Sequence, residues 1–262
     1  MEVLLGFVIA LAISLTGVGA GSMTTPLLIL LLRVPPATAV GTALMFGAIV
    51  KIASVPVYVF RRQVNIRVLR LLLAGGVPGV LLGAVLLDSL KRAAYSNVLY
   101  GLLGFLIVST ALFRLYRVFR PEPDSANRDR PRLLLSLALP IGAEVGFSSA
   151  GAGALGSLLL LSFTRLTTAE IVGTDLCFGL GLSLVGSVVQ FGAGNYDSAL
   201  LTKLVIGGLA GALTGSLLAG RIAQRPLRVA LLLVLIALGC QLAFHGGLPP
   251  AQIHAMLHAP TR

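Results

Sequence analysis

Charge is scarce in this chain, and the side chains that usually carry chemistry are scarcer still. Charged residues make up 11% of its 262 positions against 56% hydrophobic, and the mean hydropathy is +0.97. A soluble protein of this length could not hide so much apolar surface, because a folded globule still presents much of its area to water. Lipid is the solvent that fits. The two cysteines, Cys177 and Cys240, sit inside apolar runs with neither a disulfide framework nor a metal spacing, which leaves them packing roles. All three histidines fall at position 245 or beyond, so acid–base or zinc chemistry has no agents in the core. His254 and His258 stand four apart, but no third ligand accompanies them. A Gly-Lys-Ser/Thr P-loop is missing, and so is a βαβ unit with a downstream acid for a dinucleotide. No catalytic residue, metal or cofactor is expected.

The net charge of +11 would suggest a nucleic-acid partner in a soluble protein. Here the arginines cluster between apolar segments, as in the loops of a membrane protein, so no nucleic acid is expected. Met1-Glu2 offers no basic n-region, and cleavage after the first apolar run would discard a repeated motif, so that run reads as structure rather than signal peptide.

What the chain does have is itself, twice. Gly19-Ala20-Gly21 recurs as Gly151-Ala152-Gly153, Val40-Gly41-Thr42 as Val172-Gly173-Thr174, and Gly75-Gly76, Gly79 and Gly83 as Gly207-Gly208, Gly211 and Gly215. Every pair lies 132 positions apart, as do Arg33/Arg165, Ala37/Ala169, Leu44/Leu176 and Phe46-Gly47/Phe178-Gly179. A gap-free repeat over roughly seventy residues is the signature of duplication. Glycine-interrupted apolar segments in corresponding halves point to a transporter whose site lies where the copies meet.

Five apolar pieces fill each copy, at about 3–16, 23–32, 36–60, 66–87 and 93–113, then 133–148, 154–163, 167–192, 199–220 and 226–243. Their length and lack of alternation predict an all-α, polytopic integral membrane protein. Its parts are a first membrane repeat at 1–118, a polar, proline-punctuated linker at 119–131, a second repeat at 132–243 and a polar tail at 244–262, forming one transmembrane domain. As a single crossing, 3–32 would be about 45 Å long against a hydrocarbon core of about 30 Å. Broken at Gly17-Val18-Gly19-Ala20-Gly21-Ser22, it becomes a hairpin whose second arm is about 15 Å, half a bilayer. Each copy is then a re-entrant hairpin plus three crossings, and the copies are inverted. That arrangement gathers fourteen basic residues on the cytoplasmic side, Arg114 among the linker group, against five outside (Arg33, Lys91, Arg92, Lys203 and Arg262). Eight simple crossings give twelve against seven. The loop at 61–70 is arginine-rich where its mate at 193–202 has no basic residue, an opposite bias that also favours opposite faces.

Candidate site residues follow from the turns. Thr25 precedes Pro26 as a hydroxyl N-cap ahead of a helix-starting proline, and its mate Ser157 is also a good cap. Half-helices starting there would aim free N–H groups at the bilayer centre, a ready anion site. The plainer alternative is that the glycines only allow close packing. Gly75, Gly79, Gly83 and their mates read as helix contact seams. Thr42 and Thr174 either line the site or bond back to helical carbonyls. Lys51, Glu144 and Asp175 are ionisable residues inside apolar segments, which makes them candidates for proton or charge coupling. Counted by helical rise, Glu144 lies about 18 Å and Asp175 about 12 Å from the cytoplasmic face. A snorkelling Lys51 and a static Lys51–carboxylate pair are the alternatives. None of the three is duplicated; their mates are Ser183, Ala12 and Ala43.

The run Gly17-Val18-Gly19-Ala20-Gly21-Ser22, then Pro26-Leu27-Leu28, Ala39-Val40-Gly41-Thr42-Ala43-Leu44, Val64-Asn65-Ile66 and Gly75-Gly76-Val77-Pro78-Gly79 with Gly83, resembles the TauE/SafE-type sulfite exporter family over about residues 3–243. The resemblance implies a permease that moves sulfite, sulfonates or other small oxyanions, often outward. Carried over by motif position, it implies a site lined by Gly19, Gly21, Ser22, Gly41 and Thr42, with Gly151, Gly153, Gly173 and Thr174 from the second copy. Two departures stand out: Ser149 replaces the first motif glycine, and Asp175 stands where the first copy has Ala43. The expected function is proton-coupled export of a small anion by a multi-pass protein of the plasma membrane. Uptake of a small organic acid and a non-transporting membrane scaffold are the alternatives. The expected partners are a small anionic substrate and the lipid bilayer, with association into a homo-oligomer left open.

Overall fold

Helix ends in this chain fall on residues that cap or stop a helix, and they do so twice. The helix at Ile66–Arg92 starts on Asn65, whose side-chain oxygen accepts from the Val68 N–H at 3.1 Å. Its repeat mate at Ser198–Leu218 starts on Asp197, which accepts from the Leu200 N–H at 3.0 Å. The helices before them also close alike. The Gln63 N–H returns to the Tyr58 carbonyl at 2.9 Å and the Asn195 N–H to the Gln190 carbonyl at 2.9 Å. Arg62 and Gly194, again mates, take up the left-handed backbone that such a stop requires. The duplication in sequence is therefore a duplication of structure.

The computed structural model describes residues 1–16, 20–93, 95–119, 131–150, 155–218 and 224–247. These residues form ten helices and no strand: α1 (Glu2–Thr16), α2 (Ala20–Leu32), α3 (Pro36–Phe60), α4 (Ile66–Arg92), α5 (Ser96–Phe119), α6 (Pro131–Ser148), α7 (Leu155–Phe163), α8 (Thr168–Gly192), α9 (Ser198–Leu218) and α10 (Gln224–Gly247). They match the ten apolar pieces in order. Five carry stretches long and apolar enough to cross a membrane: Pro36–Phe60, Ile66–Arg92, Asn97–Tyr116, Thr168–Gly192 and Ser198–Gly215. α10 contributes a shorter apolar stretch, Val229–Phe244. Leu82, Val85 and Leu86 on α4, with Ile206, Leu209 and Leu213 on α9, leave large apolar side chains exposed. A water-soluble fold would cover such faces, whereas lipid solvates them. The protein is an integral membrane protein.

Two glycine seams join the copies. A Cβ placed on Gly75, Gly79 or Gly83 of α4 would fall 2.2, 2.1 and 2.1 Å from the carbonyl oxygens of Leu135, Leu139 and Ala143 on α6. Shifted by 132 positions, Gly207, Gly211 and Gly215 of α9 meet the carbonyls of Val3, Phe7 and Leu11 on α1 at 1.9, 2.2 and 3.1 Å. Backbone therefore lies directly on backbone, the packing that small residues permit between membrane helices. Along each seam both sets of numbers rise together, so α4 and α6 run parallel, as do α1 and α9.

The centre runs the other way. Gly41 of α3 lies against Asn195 and Gln190, Leu44 against Gly186, and Lys51 against Ser183 and Gly179. One helix rises in number as the other falls, so the repeat mates α3 and α8 are antiparallel. α5 and α10 are antiparallel too, with Gly104 against Gly239 and Ala243, and Gly239 against Ile107 and Val108. Phe46 and Phe178, mates and both fully buried, close the core against Gly208 and Gly76 respectively.

Candidate functional site

The two copies meet at Ser149, beside α2. This residue follows the end of α6 with φ +61°, a left-handed backbone that costs a non-glycine residue about 1–2 kcal/mol. At the equivalent sequence position the first copy carries Gly17. The serine hydroxyl supplies the offset. Ser149 Oγ donates to the Gly21 carbonyl at 3.1 Å and, with its proton so used, accepts from Thr25 Oγ1 at 2.6 Å. Both Ser149 and Thr25 are buried. Gly21 is required here, because a Cβ would sit 1.8 Å from the Ser149 carbonyl oxygen.

Thr25 is not the expected N-cap. α2 begins at Ala20, so Thr25 and Pro26 lie inside the helix, and α7 begins at Leu155, which makes Ser157 its third residue. Backbone in an apolar medium must satisfy its own hydrogen bonds, so helix already extends ahead of both hydroxyls. The hydroxyls, freed from capping, form contacts between elements. Thr25 reaches Ser149 across the copies, and Ser157 donates to Asp175 Oδ2.

Around this junction lie four ionisable side chains. Asp175 on α8 is 3% exposed, and its second oxygen, Oδ1, has no hydrogen-bond partner among the described residues. Glu144 on α6 is partly buried and accepts from Thr110 Oγ1 of α5. Lys51 on α3 neither snorkels nor forms a tight carboxylate pair. It is buried, and its Nζ donates to the Gly179 carbonyl at 3.1 Å and to Ser183 Oγ, its own repeat mate, at 2.8 Å. Asp175 is within electrostatic range of Lys51 and Arg114, and Glu144 within range of Arg114.

Arg114 corrects the sequence reading. An apolar piece ending at 113 places it among the basic residues of the linker. α5 instead continues to Phe119, and Arg114 is 6% exposed with Nη2 donating to the Ala150 carbonyl at 3.3 Å. Leu115, Tyr116, Val118 and Phe119 after the arginine were the available signal that the helix went on.

Thr42 and Thr174 have another use. Thr42 Oγ1 accepts from the Asp197 N–H at 3.1 Å, and Thr174 Oγ1 accepts from the Asn65 N–H at 3.0 Å. Each threonine thus holds the helix start of the opposite copy. Gly41 and Gly173 make room for the same loops, a Cβ on either falling 1.7 and 2.1 Å from the carbonyl oxygens of Asn195 and Gln63. Ser22 is buried beside the junction. Gly19, Gly151 and Gly153 lie outside the described residues, as do His254 and His258. Among the described residues no group of three His, Cys, Asp or Glu is placed to hold a metal. An open groove of about 600 Å³, lined by Ile66, Arg67, Arg70 and Leu71, lies at the first turns of α4.

A duplicated, lipid-embedded helical frame with ionisable groups buried between its copies defines the class: a polytopic membrane transporter. Comparison places it more closely. The chain matches the sulfite exporter TauE/SafE family over residues 3–242 and belongs to that family. It is similar to the probable membrane transporter protein YjnA of Bacillus subtilis, 26% identical over 92% of this chain and 98% of that protein. It is also similar to the probable membrane transporter protein YdhB of the same organism, at 23% over 92% and 99%. A probable membrane transporter protein of Xylella fastidiosa is 25% identical over 83% of each chain. No solved structure matches it.

Proposed function

We propose that this protein is a secondary active transporter that exports a small oxyanion, sulfite or an organosulfonate, across the plasma membrane in exchange for protons. Its two copies, 1–118 and 132–243, are inverted in the membrane, and each opens with a re-entrant hairpin. The observation that carries this reading is the junction at Ser149, where the hairpin helices of both copies are hydrogen-bonded beside four ionisable side chains. Such groups inside a membrane domain mark a substrate or ion pathway. Inversion is supported by the antiparallel course of α3 and α8, because mates related by a rotation about the membrane normal would run parallel. Re-entry is supported by length: α2 and α7, at 13 and 9 residues, span about 20 and 14 Å. Neither reaches across about 30 Å of hydrocarbon.

Flux into liposomes holding the purified protein tests the reading. Sulfite counterflow, stimulated by an opposing pH gradient, is the expected result. Counterflow of short carboxylates but not of sulfite would assign an organic-acid permease instead. Absence of any anion flux would leave a scaffold.

A further inference from the structure

The anion-recognising residue is not among the positions that the glycine motifs single out. We propose that it is Arg114, which grips one oxyanion at a time against the Ser149–Ala150 end of the second hairpin. This assignment rests on the transport function proposed above and names the group that would select its substrate.

The argument begins with hydrogen-bond accounting. A guanidinium carries five N–H donors and stays charged at any physiological pH. Arg114 is 6% exposed and uses Nη2 on one acceptor, the Ala150 carbonyl. Its Nε and Nη1, with three N–H bonds between them, meet no acceptor among the described residues. Leaving donors of a buried charge unpaired is costly, and folded proteins seldom do so without a use for them.

The neighbouring carboxylates do not fill the gap. Glu144 and Asp175 act on Arg114 through space, yet among the described residues neither brings an oxygen within 4.0 Å of its nitrogens. Each is instead held by a hydroxyl, Glu144 by Thr110 and Asp175 by Ser157. Lys51, the other buried cation, directs two of its three N–H bonds to acceptors, so its nitrogen is partnered. Of the two cations, only Arg114 has whole nitrogens without an acceptor among the described residues.

Those donors suit a sulfite or sulfonate group, whose three oxygens accept several N–H bonds in a fixed array. Symmetry points the same way. The mate of Arg114 is Gly246, so the duplicated frame does not need a cation here. Arg114 comes from the first copy and the turn it touches from the second. A rocking motion of one copy against the other would therefore open and close this contact.

The test is sulfite counterflow by Arg114→Gln and Arg114→Lys in liposomes, with Arg92→Gln, at an exposed residue, as control. The Gln variant is expected to raise KM for sulfite at least tenfold, and the Lys variant to raise it less, because charge survives without the planar array. Thermal melting in detergent with and without sulfite gives a second reading. The wild-type protein should gain stability from sulfite, and Arg114→Gln should not. Should the Gln variant fail to fold, the Lys variant decides alone. A KM within twofold of wild type, in a folded variant of a transporter that moves sulfite, overturns the assignment and leaves the proposed function standing. A wild-type protein that moves no anion overturns both.

Discussion

Gly79→Ala adds one methyl group to a membrane helix, and the structure says that it should be damaging. The added Cβ would fall 2.1 Å from the Leu139 carbonyl oxygen and 2.8 Å from the Ala143 nitrogen, where ordinary contact begins near 3.4 Å. Both obstacles are backbone atoms of a hydrogen-bonded helix, so no rotamer change relieves them. α4 and α6 must part locally by a little over 1 Å, and the whole seam from Gly75 to Gly83 loses contact. Overpacking of this kind costs about 1–3 kcal/mol.

Gly101→Ala supplies the reference, because the same substitution in α5 meets nothing within 4 Å. There the change only improves helix propensity, a gain of about 0.5–1 kcal/mol. The two variants should therefore differ by about 1.5–4 kcal/mol while differing in composition not at all. Unfolding midpoints of the purified proteins in mixed micelles provide the measurement. Gly211→Ala, the repeat mate, places its Cβ 2.2 Å from the Phe7 carbonyl and should fall as far as Gly79→Ala. A Gly79→Ala midpoint at or above that of Gly101→Ala would refute the backbone-on-backbone account of the seam.

Three further outcomes are expected. Thr174→Val removes the acceptor of the Asn65 N–H and should cost about 1–3 kcal/mol, with Thr174→Ser restoring stability and Thr42→Val matching the loss; unfolding midpoints report all three. Single cysteines at the exposed mates Ile66 and Ser198, with Cys177 and Cys240 changed to serine, should react with an impermeant maleimide from opposite sides of intact cells, and labelling from one side would exclude inversion. Asp175→Asn and Glu144→Gln, made separately, should between them abolish flux driven by a pH gradient while sparing counterflow. Unchanged pH-driven flux in both would remove these carboxylates from coupling.

Helices were legible because lipid makes the pattern blunt: an apolar run ends where a polar loop begins, and the ten pieces match their helices in order, with the largest overruns at the ends of α4 and α5. The glycine seams were legible because a repeat shows which small residues recur at a spacing of four. What a hydroxyl bonds to was not. Thr42 and Thr174 reach loops that lie 155 and 109 positions away, and only the packing of the copies brings those partners together. Thr25 misled for a related reason. A threonine before a proline is a helix start in water, but Ala20 onward has no water to turn to and coils first. Arg114 is masked by its company, since five more arginines follow it by position 132 and its charge reads as the first of the linker's.

The repeat and the charges obey opposite rules, and the difference bears on how transport acquires direction. Caps, seams, loop contacts and core phenylalanines all recur at an offset of 132. Under inversion, exchanging the conformations of the two copies turns a state open on one side into a state open on the other. A perfectly duplicated chain would give those two states equal free energy. The buried ionisable residues break that equality, for the mates of Lys51, Arg114, Glu144 and Asp175 are Ser183, Gly246, Ala12 and Ala43. Both cations belong to the first copy and both carboxylates to the second. In the proposed transport cycle, relative motion of the copies would change the separation of opposite charges in a medium that screens them weakly, and an added anion or proton would alter that energy differently in the two states. Only such a differential interaction lets a ligand shift the equilibrium. In that proposed cycle the duplicated residues would make the two states accessible, and the four unduplicated ones would decide which is occupied.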